Sequence, residues 1–347
     1  PQPEVKADDT NPRGFSEPRW VVDFHTRLMR ERRVTVFDSR PAAWESTAEA
    51  TRDDAAFEDL RSWLAVQFVG TDNVIAKDPR IVWFLPLWLR CAEDLGIETS
   101  FATMLRQPAE VVRSASRWYG EWQNDASRAA AWLNVTLHSE QATRGARRAF
   151  IRYDDLLEDW GREIARVGDL LDVPWLVDLE RSSHPEVDAF VDPGLRRSTV
   201  GWDEVPVPSA LREQVDHAWE LASGLARRGG DDEAARAALD DARAAYLQLY
   251  AEAEAITQSS VTAVKPRRRR TSLGGVPRAK GSSPSPSRLR VLARIIPSRH
   301  RERIAASGGL GTLPLRLALL VPVRYRERVP LPVVRAGLRL MRGLRRI

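Results

Sequence analysis

Asn73-Val-Ile-Ala-Lys77-Asp78-Pro79-Arg80, then Phe101-Ala-Thr-Met-Leu-Arg106-Gln-Pro108 and a helical pattern reaching Ser114, is the stretch that decides the fold. Twice, a short run with apolar residues ends in a cation and a proline and gives way to a helical pattern. A parallel strand feeding a helix has this form, and open sheets bind ligands at the carboxyl ends of such strands. The reading places strands at Asn73–Ala76, Thr99–Leu105 and Ala149–Tyr153, with helices between them. Strands separated by helices predict an α/β fold, a parallel sheet with helical crossovers. Two cations at strand ends, beside helix amino ends with free N–H groups, make an anion site, read as one for a nucleotide phosphate.

Outward from this stretch, apolar spacing predicts helices over 17–30, 46–68 with Ser46 as cap, 81–95 with a possible kink at Pro86, and 125–142. Further helices are predicted from Pro108, over 154–171, 209–225 and 231–255. Residues 1–13 read as extended. Residues 172–203, with Pro174, Pro185, Pro193 and Gly194, read as irregular, and their Leu195-Arg196-Arg197-Ser198-Thr199 can bring cations and hydroxyls to a ligand.

Charge divides the chain. From Lys265 onward there are 22 Lys and Arg against two acids, whereas the preceding part has 31 against 46 and holds all twelve tryptophans. An acidic globular domain over 1–256 is therefore expected, then a Pro/Ser/Arg-rich linker over 257–289 and a basic amphipathic tail over 290–347. The tail contains a repeat at an offset of 25, Ile295–Ile304 against Leu320–Val329. Cationic density with interleaved Leu, Val and Ile suits an anionic lipid surface. Nucleic acid is the rival partner by charge, but the tail carries no binding motif and only Tyr325 to stack on a base.

The lysines sharpen the site. Of 53 basic residues only Lys6, Lys77, Lys265 and Lys280 are lysine, so Lys77 is alone in the part expected to fold. Where arginine otherwise serves as cation, a lysine kept at a strand end points to a need for a compact, rotatable ammonium. The single cysteine, Cys91, excludes an internal disulfide and fits a reducing, cytoplasmic compartment, with membrane association through the tail. No run approaches membrane-span length. The five histidines lack metal-ligand spacing, so no metal is expected, and each reads as structural or exposed.

The Lys77-Asp-Pro run, Arg106 and Ser114 eight residues apart, and Ile151-Arg-Tyr153-Asp-Asp-Leu156 together resemble the sulfotransferases that use 3′-phosphoadenosine 5′-phosphosulfate, over about Asn11 to Val173. The resemblance implies a P-loop-like fold and 3′-phosphate contacts from Arg106 and Ser114. It also implies that Tyr153 lies near the adenine and that Lys77 approaches the transferring sulfuryl group. Gly14-Phe-Ser-Glu17-Pro-Arg19 is similar to the segment that carries a catalytic glutamate in several of these enzymes, which implies Glu17 as the base. Asp78 is the second catalytic candidate, or the residue that orients Lys77 or Arg80. Arg196 and Arg197 join the donor contacts, and the acceptor is expected to be a small molecule, glycan or peptide bearing a hydroxyl or amine. The family's phosphate-cradling Lys/Arg-Ser-Gly-Thr loop, expected before Glu17, does not occur, and a chain beginning at Pro1 is expected to be truncated there. A catalytically silent nucleotide-binding or membrane-tethering module is the alternative.

Overall fold

Val21, Phe24, Leu28 and Met29 recur at helical spacing and, with His25, form the buried side of α1 (Arg19–Arg32). The helix closes at Arg33, which adopts a left-handed conformation while the Val34 N–H returns to the Met29 carbonyl at 2.9 Å. The structure, a computed structural model, describes residues 4–264 other than 10, 12, 119–122, 181–182, 193, 195, 197–198 and 229–231. The expected tail, its repeat and all but the first residues of the expected linker lie outside the described residues.

The single helix expected over 46–68 is divided into α2 (Ala43–Ala48), a 3-10 turn and α3 (Asp54–Gln67). Asp53 causes the break, because its carboxylate accepts from the Ala55 and Ala56 N–H groups and caps α3. Ser46 lies inside α2 instead. The next helix starts as a 3-10 turn at Ile81 and becomes α4 (Leu85–Asp94), with Pro86 in its first turn rather than at a kink.

β1 (Ser100–Leu105) pairs in parallel with β2 (Arg147–Arg152), Ser100 opposite Arg147 and Leu105 opposite Arg152. The crossover between them is α5 (Pro108–Trp118) and α6 (Asp125–Ala142). Two of the expected strands are thus present. Asn73–Ala76 is not a strand: its burial alternates residue by residue, but Ile75 is 75% exposed and no pairing partner lies beside it among the described residues. The described residues are therefore mostly helical around a small, two-stranded parallel sheet, compatible with an α/β class.

After β2 the chain enters α7 (Tyr153–Glu158), so Tyr153 opens a helix instead of ending a strand. Asp159 caps α8 (Trp160–Leu171) by accepting from the Arg162 N–H at 3.0 Å, which splits the helix expected over 154–171. The stretch expected to be irregular holds α9 (Pro174–Glu180), α10 (Pro185–Phe190) and a turn at Trp202–Glu204. Gly168 lets α9 lie against α8, since a Cβ there would sit 2.9 Å from the Val177 backbone nitrogen. α11 (Ser209–Arg228) and α12 (Glu233–Val264) follow, and α12 continues into the segment expected to be linker.

The core has three parts. β2 turns Phe150 toward α6, α11 and α12, and Ala149 and Ile151 toward Val167 and Leu171 of α8. This period of two buries both faces of β2, as helix-covered parallel strands require. The third part joins α1 to α4 and is dense in aromatic rings. There Trp44 is stacked between Trp83, 3.5 Å away, and His138 of α6, 3.4 Å away.

Burial pulls the His138 pKa down to about 3, and the charge of Arg243 adds to the effect. An unfolded histidine titrates near 6.5, so below that pH the unfolded chain binds a proton that the folded chain refuses. The contribution is complete above pH 6.5 and is lost as pH falls toward 3, by roughly 1.4 kcal/mol per pH unit. Urea unfolding at pH 7 and pH 5 should show the native chain losing about 2 kcal/mol more than His138→Phe.

Candidate functional site

Asp78-Pro79-Arg80-Ile81 forms a tight turn. Its first carbonyl accepts from the Ile81 N–H at 3.1 Å, and the Asp78 carboxylate accepts from the Arg80 N–H at 2.9 Å. Asp at the first position and Pro at the second suit such a turn. Here the turn drives the carboxylate inward. Oδ2 of Asp78 faces His25 Nδ1 at 2.8 Å, and Oδ1 accepts from the Arg80 guanidinium at 2.6 Å. His25 in turn meets Trp88 of α4, whose indole N–H donates to Nε2 at 2.9 Å.

That indole assigns the tautomer. A ring nitrogen accepting from Trp88 carries no proton, so His25 is neutral and donates from Nδ1 to Asp78. Burial pulls the His25 pKa below its usual value against the hydrogen bond and charge of Asp78, and Arg80 pulls it the same way. Burial by itself would raise Asp78, yet the bonds from His25 and the Arg80 amide, with the Arg80 charge, hold its pKa below the usual carboxylate range.

Glu17 and Lys77 lie at the other end of this chain of contacts. Lys77 Nζ donates to Glu17 Oε1 at 2.7 Å and to the Phe15 carbonyl at 2.8 Å, and Arg80 reaches Glu17 Oε2 at 3.4 Å. The segment carrying Glu17 is bent to make this possible. Gly14 and Ser16 both have positive φ, and for Ser16, at 49°, the left-handed conformation costs about 1 kcal/mol. The bend aims the Phe15 carbonyl and the Glu17 carboxylate at one ammonium. The described part of residues 1–13, expected to be extended, turns back instead: the Val5 N–H donates to the Glu17 carbonyl at 2.9 Å.

A second group gathers at the carboxyl end of the sheet. Arg106 follows β1, and its side chain turns back along α5 so that Nε donates to Glu110 Oε2 at 3.2 Å. Its guanidinium carbon lies 5.1 Å above the ring of Tyr153, the residue after β2. Glu110 is 1% exposed and accepts from Arg196 Nε and NH2 on its other oxygen, at 3.0 and 2.7 Å. Arg196 NH1 also pairs with Asp154 at 3.3 Å. Ser114 is one turn beyond Glu110 on the same face of α5 and is half-buried. The eight-residue spacing thus has a carboxylate at its midpoint.

The residues picked from sequence fall into these two groups: Glu17, Lys77 and Asp78 in one, Arg106, Ser114, Tyr153 and Arg196 around the other. Lys77 is not at a strand end, and Arg196 is engaged by two carboxylates. Arg197 lies outside the described residues. No hydrogen bond or ion pair joins the groups among the described residues, but Arg13, just before the bent segment, donates to the Phe190 carbonyl and pairs with Asp192 at 3.4 Å, just before Arg196. The sequence singles out neither Trp88 nor Glu110, since a salt-bridged buried Glu at i+4 from an arginine carries no distinctive pattern. His25, expected to be structural or exposed, is buried and hydrogen-bonded on both ring nitrogens. Among the described residues no cluster of His, Cys, Asp or Glu is arranged to hold a metal ion, and no helix is long and apolar enough to cross a membrane.

The two ends of the first group should respond unequally to truncation. The Lys77 side chain is 55% exposed and Asp78 is buried with three hydrogen bonds. Lys77→Ala is expected to lower stability by about 0–1 kcal/mol. Asp78→Ala strands a buried donor and should cost about 1–3 kcal/mol. Urea midpoints compare the two, and equal losses would contradict the arrangement. Compared with protein-family models, with curated proteins and with solved structures, the chain matches none.

Proposed function

We propose that this chain is a sulfuryl-transferase domain of the P-loop-like class. It would bind the adenosine 3′,5′-bisphosphate part of 3′-phosphoadenosine 5′-phosphosulfate and serve a hydroxyl or amine acceptor of small-molecule, glycan or peptide type. The observation that carries this reading is the contact between Lys77 and Glu17, sixty residues apart in sequence and 2.7 Å apart in space. They are the cation and carboxylate that in-line transfer needs.

In that reaction the acceptor oxygen or nitrogen bonds to sulfur as the bond from sulfur to the bridging phosphate oxygen breaks. Glu17 takes the acceptor proton. Lys77 stabilises charge developing on the departing phosphate, and its exposed ammonium is open to a ligand arriving from solvent. At the sheet end Arg106 spends only Nε on Glu110 and keeps its terminal nitrogens for a 3′-phosphate. Tyr153 and the arginine above it offer planar surfaces to an adenine ring. Asp78, which touches neither end of the pair directly, acts here by holding Arg80.

A silent binding module is the second reading, favoured by one observation. Glu17 is buried and both its carboxylate oxygens are already engaged, Oε1 by Lys77 and Oε2 by Arg80. In either case residues 265–347, with their large positive excess, would carry the domain to an anionic membrane surface, nucleic acid being the less favoured partner.

Calorimetric titration with adenosine 3′,5′-bisphosphate tests the nucleotide site. Arg106→Ala and Ser114→Ala should each weaken binding at least about 10-fold, on the scale of a lost charge-assisted hydrogen bond. Binding that neither variant alters removes the site. Flotation with anionic liposomes should be lost when residues 265–347 are deleted, and retained flotation would assign membrane contact elsewhere.

A further inference from the structure

We propose that His25 is a positioning residue for the Glu17–Lys77 pair, acting through Asp78 and Arg80. The inference deepens the transfer reading, since these are its base and cation, but the coupling itself requires no nucleotide. Five contacts make the connection: Trp88 to His25, His25 to Asp78, Asp78 to Arg80, Arg80 to Glu17, and Glu17 to Lys77, at 2.9, 2.8, 2.6, 3.4 and 2.7 Å.

The direction follows from burial and donor inventory. His25 and the Asp78 side chain are fully buried, so neither can exchange its partner for water. With Nε2 filled by the indole, His25 has one proton to give, and Asp78 Oδ2 receives it. That bond fixes the carboxylate plane and so fixes Oδ1, which holds the Arg80 guanidinium. Arg80 then stands against Glu17 Oε2 and turns Oε1 toward the ammonium. Loss of the His25 donor frees Asp78 to rotate onto Arg80 with both oxygens, drawing the guanidinium from Glu17. Lys77 would then lose its fixed counter-charge without being touched by the substitution.

Lysine scarcity makes this measurable. Only four lysines occur in the chain, so protein labelled with carbon-13 at lysine Cε gives four side-chain signals, and Lys77→Arg assigns the one of interest. The Lys77 signal is expected to stand apart from the other three and to collapse toward them in Glu17→Gln. His25→Leu should move it at least half as far as Glu17→Gln does. His25→Asn, whose amide nitrogen can replace Nδ1 as donor, should return it most of the way. A purely packing role for His25 predicts the opposite ranking, because the apolar leucine fills the site better than asparagine does.

If His25→Leu does not fold, Asp78→Asn replaces it: one amide oxygen cannot serve both His25 and Arg80, and the signal should move likewise. A Lys77 signal that stays at its native position in whichever of these variants folds, while Glu17→Gln shifts it, overturns the proposal. So does a native Lys77 signal indistinguishable from the other lysines. Titration of the same labelled samples with adenosine 3′,5′-bisphosphate keeps the two ideas separate. Absent binding with intact coupling removes the transfer reading alone, and binding without coupling removes the positioning role alone.

Discussion

A buried carboxylate with two different donors is the constraint on which the first site depends. Asp78 cannot leave the interior without stranding His25 and leaving Arg80 only its longer contact with Glu17, and its own burial depends on both donors. The turn at Pro79 supplies the geometry, α1 supplies the histidine and α4 the indole behind it. The Glu17–Lys77 contact is the outer end of this arrangement. It is half in solvent, and by itself such a pair would add little to stability and be held loosely. Its definition comes from inside.

The sheet end is organised differently. Glu110, nearly inaccessible, divides its two oxygens between arginines 4 and 86 residues away in sequence. One guanidinium is only partly used and lies over Tyr153, whereas the other is occupied on three nitrogens by Glu110 and Asp154. Two arginines that look equivalent in sequence therefore have unequal capacity for a ligand. Among the described residues Arg106 gives only Nε to an acid, but Arg196 has to give up an acid before it can take another anion.

Much of this was legible in the residues. Periodicity located α1 and the strand pair, because α1 buries a regular stripe and β2 sends alternate residues into two covered faces. It failed at Asn73–Ala76, where alternation is present but no strand pairs with it among the described residues, and at the long helices, which side-chain caps at Asp53 and Asp159 cut short. The lone lysine could be chosen by residue type, and Glu17 only by the resemblance of its segment. Their meeting could not be derived, since it depends on a left-handed Ser16 that composition does not announce. His25 was invisible for a simpler reason: its partners come from a turn and a helix more than fifty positions away.

The indole of Trp88 has a consequence for inheritance. Its N–H is what makes His25 a one-proton donor, so histidine, aspartate and tryptophan form a set in which no member is correct without the others. A lineage that exchanged one of them would carry an orphaned polar atom until the remaining two changed. Kin of this chain should therefore keep the trio whole or replace it whole, and intermediates should be scarce.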